Sequence, residues 1–213
     1  MTSTVVFREK FFNKQLKNLN TASLNEFLNN QEQTDDKFSK TEAIQKISTT
    51  KLHIEFLKEW ANNNPDKLIK FHNKLILKQI GPDTLMAAEA NKLLDAFVSI
   101  LKTKYLHLKE TNLTSNKIID LIFPGQLAVF AKRERDRFTE GFRSVKNPTK
   151  RDLKKFDGDE KLYSIMDYII SEILELSRNA ARDQKKHTIA PIHLEFAIVG
   201  DKELTQLFQN LFA

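Results

Sequence analysis

The sequence predicts an all-α protein in which a helical N-terminal extension precedes two similar short–long–short helical units. Three observations predict it. The 213 residues include only five Gly and five Pro, and few stretches alternate apolar with polar residues, as strands would require. Two segments carry a wide apolar stripe at helical spacing, each flanked by shorter helical segments with their own start and stop signals. Each long helix, about 33–36 Å at 1.5 Å per residue, bears more apolar surface than its own unit can cover. Two crossing units cover each other, so the pattern predicts a pseudo-symmetric intramolecular pair.

The elements follow in order. Residues 1–64 form the extension, where Ser23 with Glu26 and Ser39 with Glu42 have the spacing of capping boxes. The second box opens a helix that places Ile44, Ile47, Ile54, Leu57 and Ala61 on one face with Trp60 beside it; Asn62-Asn63-Asn64-Pro65 ends it. A short helix at about 66–80 stops at Gly81-Pro82-Asp83-Thr84. The first long helix, at about 85–108, aligns Met86, Ala90, Leu93, Phe97, Leu101, Tyr105 and Leu108, with Leu94 and Val98 widening the stripe. A short helix at about 114–122 ends before Pro124, which opens a basic helix at its first turn. A basic segment at 148–156 then precedes Asp157-Gly158-Asp159 and a second long helix at about 160–181. Its apolar face holds Leu162, Ile165, Met166, Ile169, Ile170, Ile173, Leu174 and Leu176. Pro191 starts a short helix through Ile198, and Asp201 caps a final one. The expected divisions are 1–64, 65–145 and 146–213.

Composition narrows the function. Apolar residues at 40% and charged residues at 29% suit a soluble folded chain. No run approaches the roughly 18 apolar residues of a membrane span, and the first residues lack the basic end and apolar core of a secretory signal. An intracellular protein with no membrane partner is expected. The net charge of +6 is matched by residues 132–155 alone, where ten Lys or Arg face four Asp or Glu. Such a stretch serves either as a solvated linker or as contact with a polyanion.

Catalysis is not expected. There is no Cys, and the five His lie scattered at His53, His72, His107, His187 and His193. His187 and His193 are six apart across a Pro, which is not helical ligand spacing, so neither a metal nor another cofactor is expected. His193, at the start of a short helix, reads as a structural residue. No Gly-rich phosphate loop and no nucleophile elbow occur.

Residues 171–204 read Ser-Glu-Ile-Leu-Glu-Leu-Ser-Arg-Asn-Ala-Ala-Arg-Asp-Gln-Lys-Lys-His-Thr-Ile-Ala-Pro-Ile-His-Leu-Glu-Phe-Ala-Ile-Val-Gly-Asp-Lys-Glu-Leu. This run closely resembles core histone 2A, from the end of its long helix to the start of its terminal helix. Upstream, Leu77-Lys78-Gln79-Ile80-Gly81-Pro82-Asp83-Thr84 and Phe123-Pro124-Gly125-Gln126-Leu127-Ala128 resemble histone 2B. A 2B-type half followed by a 2A-type half resembles the histone doublets of large DNA viruses, with residues 1–64 outside the likeness.

The resemblance implies two tandem histone folds in an intramolecular handshake pair. It implies a protein that binds DNA through its backbone and assembles with histone 3/4-type partners to compact a genome, in a host nucleus, a viral factory or a virion. It assigns DNA contact to Lys185, Lys186, His187 and Thr188, with Thr188 where the family carries a groove-inserting Arg. Arg182 stands just upstream, to reach a phosphate or to pair with Asp183. Thr84 matches a 2B first-loop contact, and Lys150, Arg151 and Lys154 fall near the 2A first helix. The family's acidic patch, which chromatin factors grip with an Arg, maps to Asp167, Glu172, Glu175, Asp201 and Glu203 with Glu134. Lys202 interrupts it and Gln126 replaces an acid; Glu172 and Glu175 read equally as the wet face of a helix.

Three departures carry weight. The chain between Pro82 and Pro124 is too short for a full 2B second loop, and Lys-rich tails are not expected. The sequence ends at Ala213, soon after the last helix, so the docking tail that holds the family's dimer to 3/4-type histones is expected to be missing. Particles looser than ordinary ones are expected in consequence. An alternative expectation is a histone-dimer mimic that engages chromatin factors or histones without wrapping DNA.

Overall fold

The computed structural model describes residues 40–139 and 149–213, with the backbone alone at 40–44, 137–139 and 150. The Ser23…Glu26 box, Ser39 and the division at 145/146 lie outside the described residues. Helix α1 spans Lys40–Asn63, and the stripe foreseen for it is buried at Ile47, Ile54, Leu57 and Ala61. It lies on three helices of the later chain: α3 (Ala88–Glu110), α8 (Pro191–Gly200) and α9 (Lys202–Phe212). Phe212 closes this contact, its ring 4.5 Å from His53 and 5.6 Å edge-on to Phe56. Lys51 and Lys58 both reach Glu195, at 3.4 and 3.9 Å. The end of the extension is therefore part of the core.

The expected helix at 66–80 is interrupted. One 3-10 turn covers Pro65–Lys67, and α2 starts only at Asn73, running to Ile80. Between them the backbone is held by side chains of α3: Ile69 N donates to Ser99 Oγ at 2.8 Å, and Phe71 N to Asp95 Oδ1 at 3.1 Å. The Phe71 ring sits 5.8 Å from Phe156 and 5.5 Å from Tyr163. Apolar spacing favours continued helix here, but these tertiary bonds and rings win over it. Burial pushes the Asp95 carboxyl up to about 6, against the lowering effect of its bonds from Phe71 and Asn73.

The remaining elements follow the expected order. β1 (Leu85–Met86) precedes α3, and α4 (Ser115–Ile122) and α5 (Gly125–Thr139) follow it. In the second unit α6 is Lys150–Lys154, α7 is Glu160–Asp183, and β2 is Thr188–Ile189 before α8 and α9. The units exchange partners. α2 and α5 of the first pack on α7 of the second, while α8 and α9 pack on α3. Ala90, Phe97, Leu101 and Tyr105 of α3 and Ile165, Ile169 and Ile173 of α7 are all buried in one continuous cluster. Cutting Phe97 or Ile169 to Ala would cost about 2–5 kcal/mol. The fold is all-α, two tandem histone folds in an intramolecular handshake, joined by a helical extension.

Crossing the long helices brings each unit's first loop beside the other's second loop. At one end β1 and β2 pair in parallel, Leu85 opposite Thr188 and Met86 opposite Ile189. This bridged end is separated from the other by the length of α3, about 35 Å at 1.5 Å per residue.

Candidate nucleic-acid interface

The bridged end is built by two helix terminations. α2 stops at Gly81, whose N–H bonds Leu77 O at 2.8 Å; Thr84 N then turns back to Gly81 O at 3.0 Å. α7 ends in a tight wrap: Lys186 N donates to Ala181 O at 2.9 Å and Lys185 N to Arg182 O at 2.8 Å. That wrap needs a left-handed residue, and the residue there is Lys185, with φ of 57°. A side chain in this region costs roughly 1 kcal/mol relative to Gly. The chain carries a cation where glycine would be less strained, and the turn leaves Lys185, Lys186, His187 and Thr188 all exposed.

The bridge fixes these residues beside the first loop. Leu85 N donates to His187 O at 2.8 Å and Ala87 N to Ile189 O at 2.9 Å. Behind the second loop, His193 is 3% exposed. Its Nδ1 accepts the Ala190 N–H at 2.9 Å and its Nε2 lies 3.3 Å from Gln184 Oε1. Burial lowers its pKa, and Lys186 nearby lowers it further. The ring is a brace for the loop, as expected from its place in the sequence.

Of the residues assigned by resemblance, the structure thus brings together Thr84, Lys185, Lys186, His187 and Thr188. Arg182 is exposed one turn back on α7, and its Nη2 donates to Asn179 Oδ1 at 3.1 Å and not to Asp183. None of Arg182, Lys185 and Lys186 has a carboxylate within 4 Å among the described residues. Arg151 and Lys154 are also exposed, but on α6, which leads into the opposite loop pair. The Lys150 side chain lies outside the described residues. Sequence reasoning missed Arg178, whose Nε donates to Thr84 Oγ1 at 3.3 Å across the two units. Its helical spacing of four from Arg182 was the available signal.

The opposite end is closed differently. Lys102 meets Asp157 at 2.9 Å and Lys109 meets Asp159 at 2.8 Å. The bond that Lys109 donates to Asp159 raises the Lys109 pKa. Asp159 also accepts from Leu162 N at 2.9 Å and so caps α7. Here acids of the second unit's first loop neutralise cations of α3, and this is the ion-paired end.

The acidic cluster is assembled only in part. Burial first, then Glu175 and Asp201, raises the Glu172 pKa. Glu172, Glu203 and Glu134 all add to the burial that raises the Tyr168 hydroxyl. Two members have structural duties: Asp201 caps α9 through Leu204 N at 2.7 Å, and Glu203 takes Gln126 N at 2.8 Å and Leu127 N at 2.9 Å at the start of α5. Gly125 there permits the approach, since a Cβ would sit 2.1 Å from Glu203 Oε1. Asp167 must be corrected. It is 3% exposed, with Oδ1 2.5 Å from His72 Nε2, while His72 Nδ1 lies 3.1 Å from the Tyr163 hydroxyl. α2 crosses α7 at this point, so Asp167 joins the two units and offers nothing to a partner. Lys202 is exposed at the position that breaks the cluster.

No family model matches the chain. Curated relatives match a short stretch of it. A histone 2A of Meyerozyma guilliermondii and one of Candida albicans are each 54% identical over 50 residues, 24% of this chain and 38% of theirs. A histone 2A of Candida glabrata is 50% identical over a stretch of the same length and coverage. The chain thus spans little over a third of the length of these relatives. A part of this all-α chain is similar to histone 2A, and it sits within a histone fold.

Proposed function

We propose that this chain is a fused core histone, with residues 65–145 as the 2B-like half and 146–213 as the 2A-like half. It binds double-stranded DNA through the phosphate backbone without reading sequence. With a histone 3/4-type partner it forms nucleosome-like particles that compact a genome, as in the histone doublets of large DNA viruses. Its place is chromatin, in a host nucleus, a viral factory or a virion. The observation that carries this reading is the bridged end, where Lys185 and Lys186 stand exposed beside the loop of Thr84 and Arg182 stands exposed one turn back on α7, none with a carboxylate within 4 Å among the described residues. Fixed cations at paired loops neutralise phosphates and release counterions, whatever the bases between them. The stretch similar to histone 2A supports the same reading. Glu134, Glu172, Glu175, Asp201 and Glu203 would then engage an Arg of a chromatin factor. Arg151 and Lys154, on a separate helix, are proposed to lengthen the track of phosphate contacts.

The test mixes the full chain with duplex DNA and 3/4-type histones and digests with nuclease. A protected fragment of defined length is expected; a continuous smear overturns particle formation. A second reading, a histone-dimer mimic, is favoured by the ion-paired end, where Asp157 and Asp159 neutralise the cations that would meet DNA. A mimic binds DNA with little salt dependence, whereas a packager loses affinity steeply as salt rises.

A further inference from the structure

We infer that Arg178 is a phosphate contact of the bridged end, held ready for duplex DNA by the first loop; this rests on the DNA-binding reading above. Arg178 leaves α7 in the second unit and lies across the loop of the first. Its Cδ and the inner end of its guanidinium occupy the space that Gly81 leaves open: a Cβ at Gly81 would sit 2.2 Å from its Nε, 2.7 Å from its Cδ and 2.9 Å from its Cζ. Nε donates to Thr84 Oγ1 at 3.3 Å, so the orientation of the planar head is set from two sides. Both terminal nitrogens are left without a partner among the described residues, and no carboxylate lies within ion-pair distance.

Three features separate this residue from an ordinary surface arginine. It is half-buried, so its charge is partly stripped of water. Arg182 stands four residues on along the same helix face, and like charges at that spacing repel. The neighbouring loop adds Lys185 and Lys186 and no acid that pairs with either. A pre-oriented guanidinium among unneutralised cations destabilises the free protein, and a phosphate that accepts both terminal nitrogens removes that penalty. Thr84 acts as the positioning residue, fixing the fork and leaving its outer edge to the phosphate.

The experiment measures binding of the full chain to a random-sequence duplex by fluorescence anisotropy across a range of salt. One lost phosphate contact lowers the salt slope by about 0.9, which is about fivefold in affinity at 0.15 M salt relative to 1 M. Arg178→Gln is expected to show that loss, and Arg178→Lys to keep the slope while losing some affinity. Arg178→Met, which keeps the apolar stem over Gly81, carries the test if Arg178→Gln does not fold. A neutral variant that folds and keeps the wild-type slope, while Lys185→Ala with Lys186→Ala lowers it, overturns this inference and leaves the functional reading standing. A wild-type chain with no salt-dependent binding overturns the functional reading, and this inference with it.

Discussion

The two ends of the handshake solve one problem with opposite chemistry. At each end a long helix must stop and its following loop must meet the first loop of the other unit. At the ion-paired end α3 stops with Asn112 in the left-handed region (φ 60°), a residue type that tolerates it, and the partner loop uses Asp157 (φ 53°) and Gly158 (φ 78°). The loops are then tied by Lys102–Asp157 and Lys109–Asp159. At the bridged end the left-handed residue is a lysine, the tie is a pair of backbone strands, and the cations face no carboxylate among the described residues. Stability is served by charge at one end and by backbone hydrogen bonds at the other. Only the second arrangement leaves charge for a polyanion.

The strongest break of this comparison is a pair of double variants. Lys185→Ala with Lys186→Ala is expected to lower the salt slope of DNA binding by about 1.8, near 30-fold in affinity at 0.15 M salt relative to 1 M. Lys102→Ala with Lys109→Ala is expected to change DNA affinity less than about threefold, because those ammonium groups already face carboxylates. Equal losses from both pairs in the same anisotropy titration would erase the distinction between the ends. The reverse change sharpens it. Asp157→Asn with Asp159→Asn releases both lysines, while the amide oxygen introduced by the second substitution keeps the cap on α7. The DNA affinity of this variant should rise about three- to tenfold, with a steeper slope; an unchanged slope would mean that this end does not face DNA.

Lys185→Gly separates stability from function at one residue. Glycine relieves the left-handed backbone, so unfolding by denaturant should need about 1 kcal/mol more. The lost cation should lower DNA affinity about fivefold at 0.15 M salt relative to 1 M, with a slope lower by about 0.9. A variant that is both more stable and binds as tightly as the wild type would show that the lysine is not there for its charge.

How much of this was legible follows from where each interaction lies. Helix order, the apolar stripes and the second loop are local patterns, and they stand as expected at α7, at Lys185–Thr188 and, from Ala90 on, at α3; Met86, expected on that stripe, lies in β1 because Leu85 N and Ala87 N bond the other unit's second loop. The break at 68–72 was not legible, because Ser99 and Asp95 reach it from 24 to 30 residues away. Asp167 looks like a wet acid on a helix, and only the crossing of α2 over α7 brings His72 to it, 95 residues distant in the chain. The same holds for Lys102 and Lys109, whose acids come from the other unit. Arg178 was passed over because nothing in its own helix shows that a glycine loop lies across it. The extension gave a helix and a stripe, but a stripe does not say which three helices it will cover.

The smallest expected effect is a pH response confined to one end. The bridged end is braced by His193, whose neutral ring accepts the Ala190 N–H, and burial holds its pKa below the ordinary value of 6.5. The unfolded chain therefore takes up a proton at a higher pH than the folded one. The contribution of the neutral ring is fully present above about pH 6.5 and is lost as pH falls through the folded value. At the ion-paired end the loop after α3 is braced by no buried His among the described residues; His107 there is exposed and lies 3.7 Å from Glu110. Between pH 7.5 and 5.5, amide exchange protection at 184–190 should fall by a factor of about 2–5, corresponding to below about 1 kcal/mol, while 111–115, in the loop after α3 and away from Asp95, should hold steady. His193→Asn keeps an acceptor for the Ala190 N–H and has no proton to gain, so its two ends should respond alike. Equal loosening of both ends in the wild-type chain would show that the brace is not what distinguishes them.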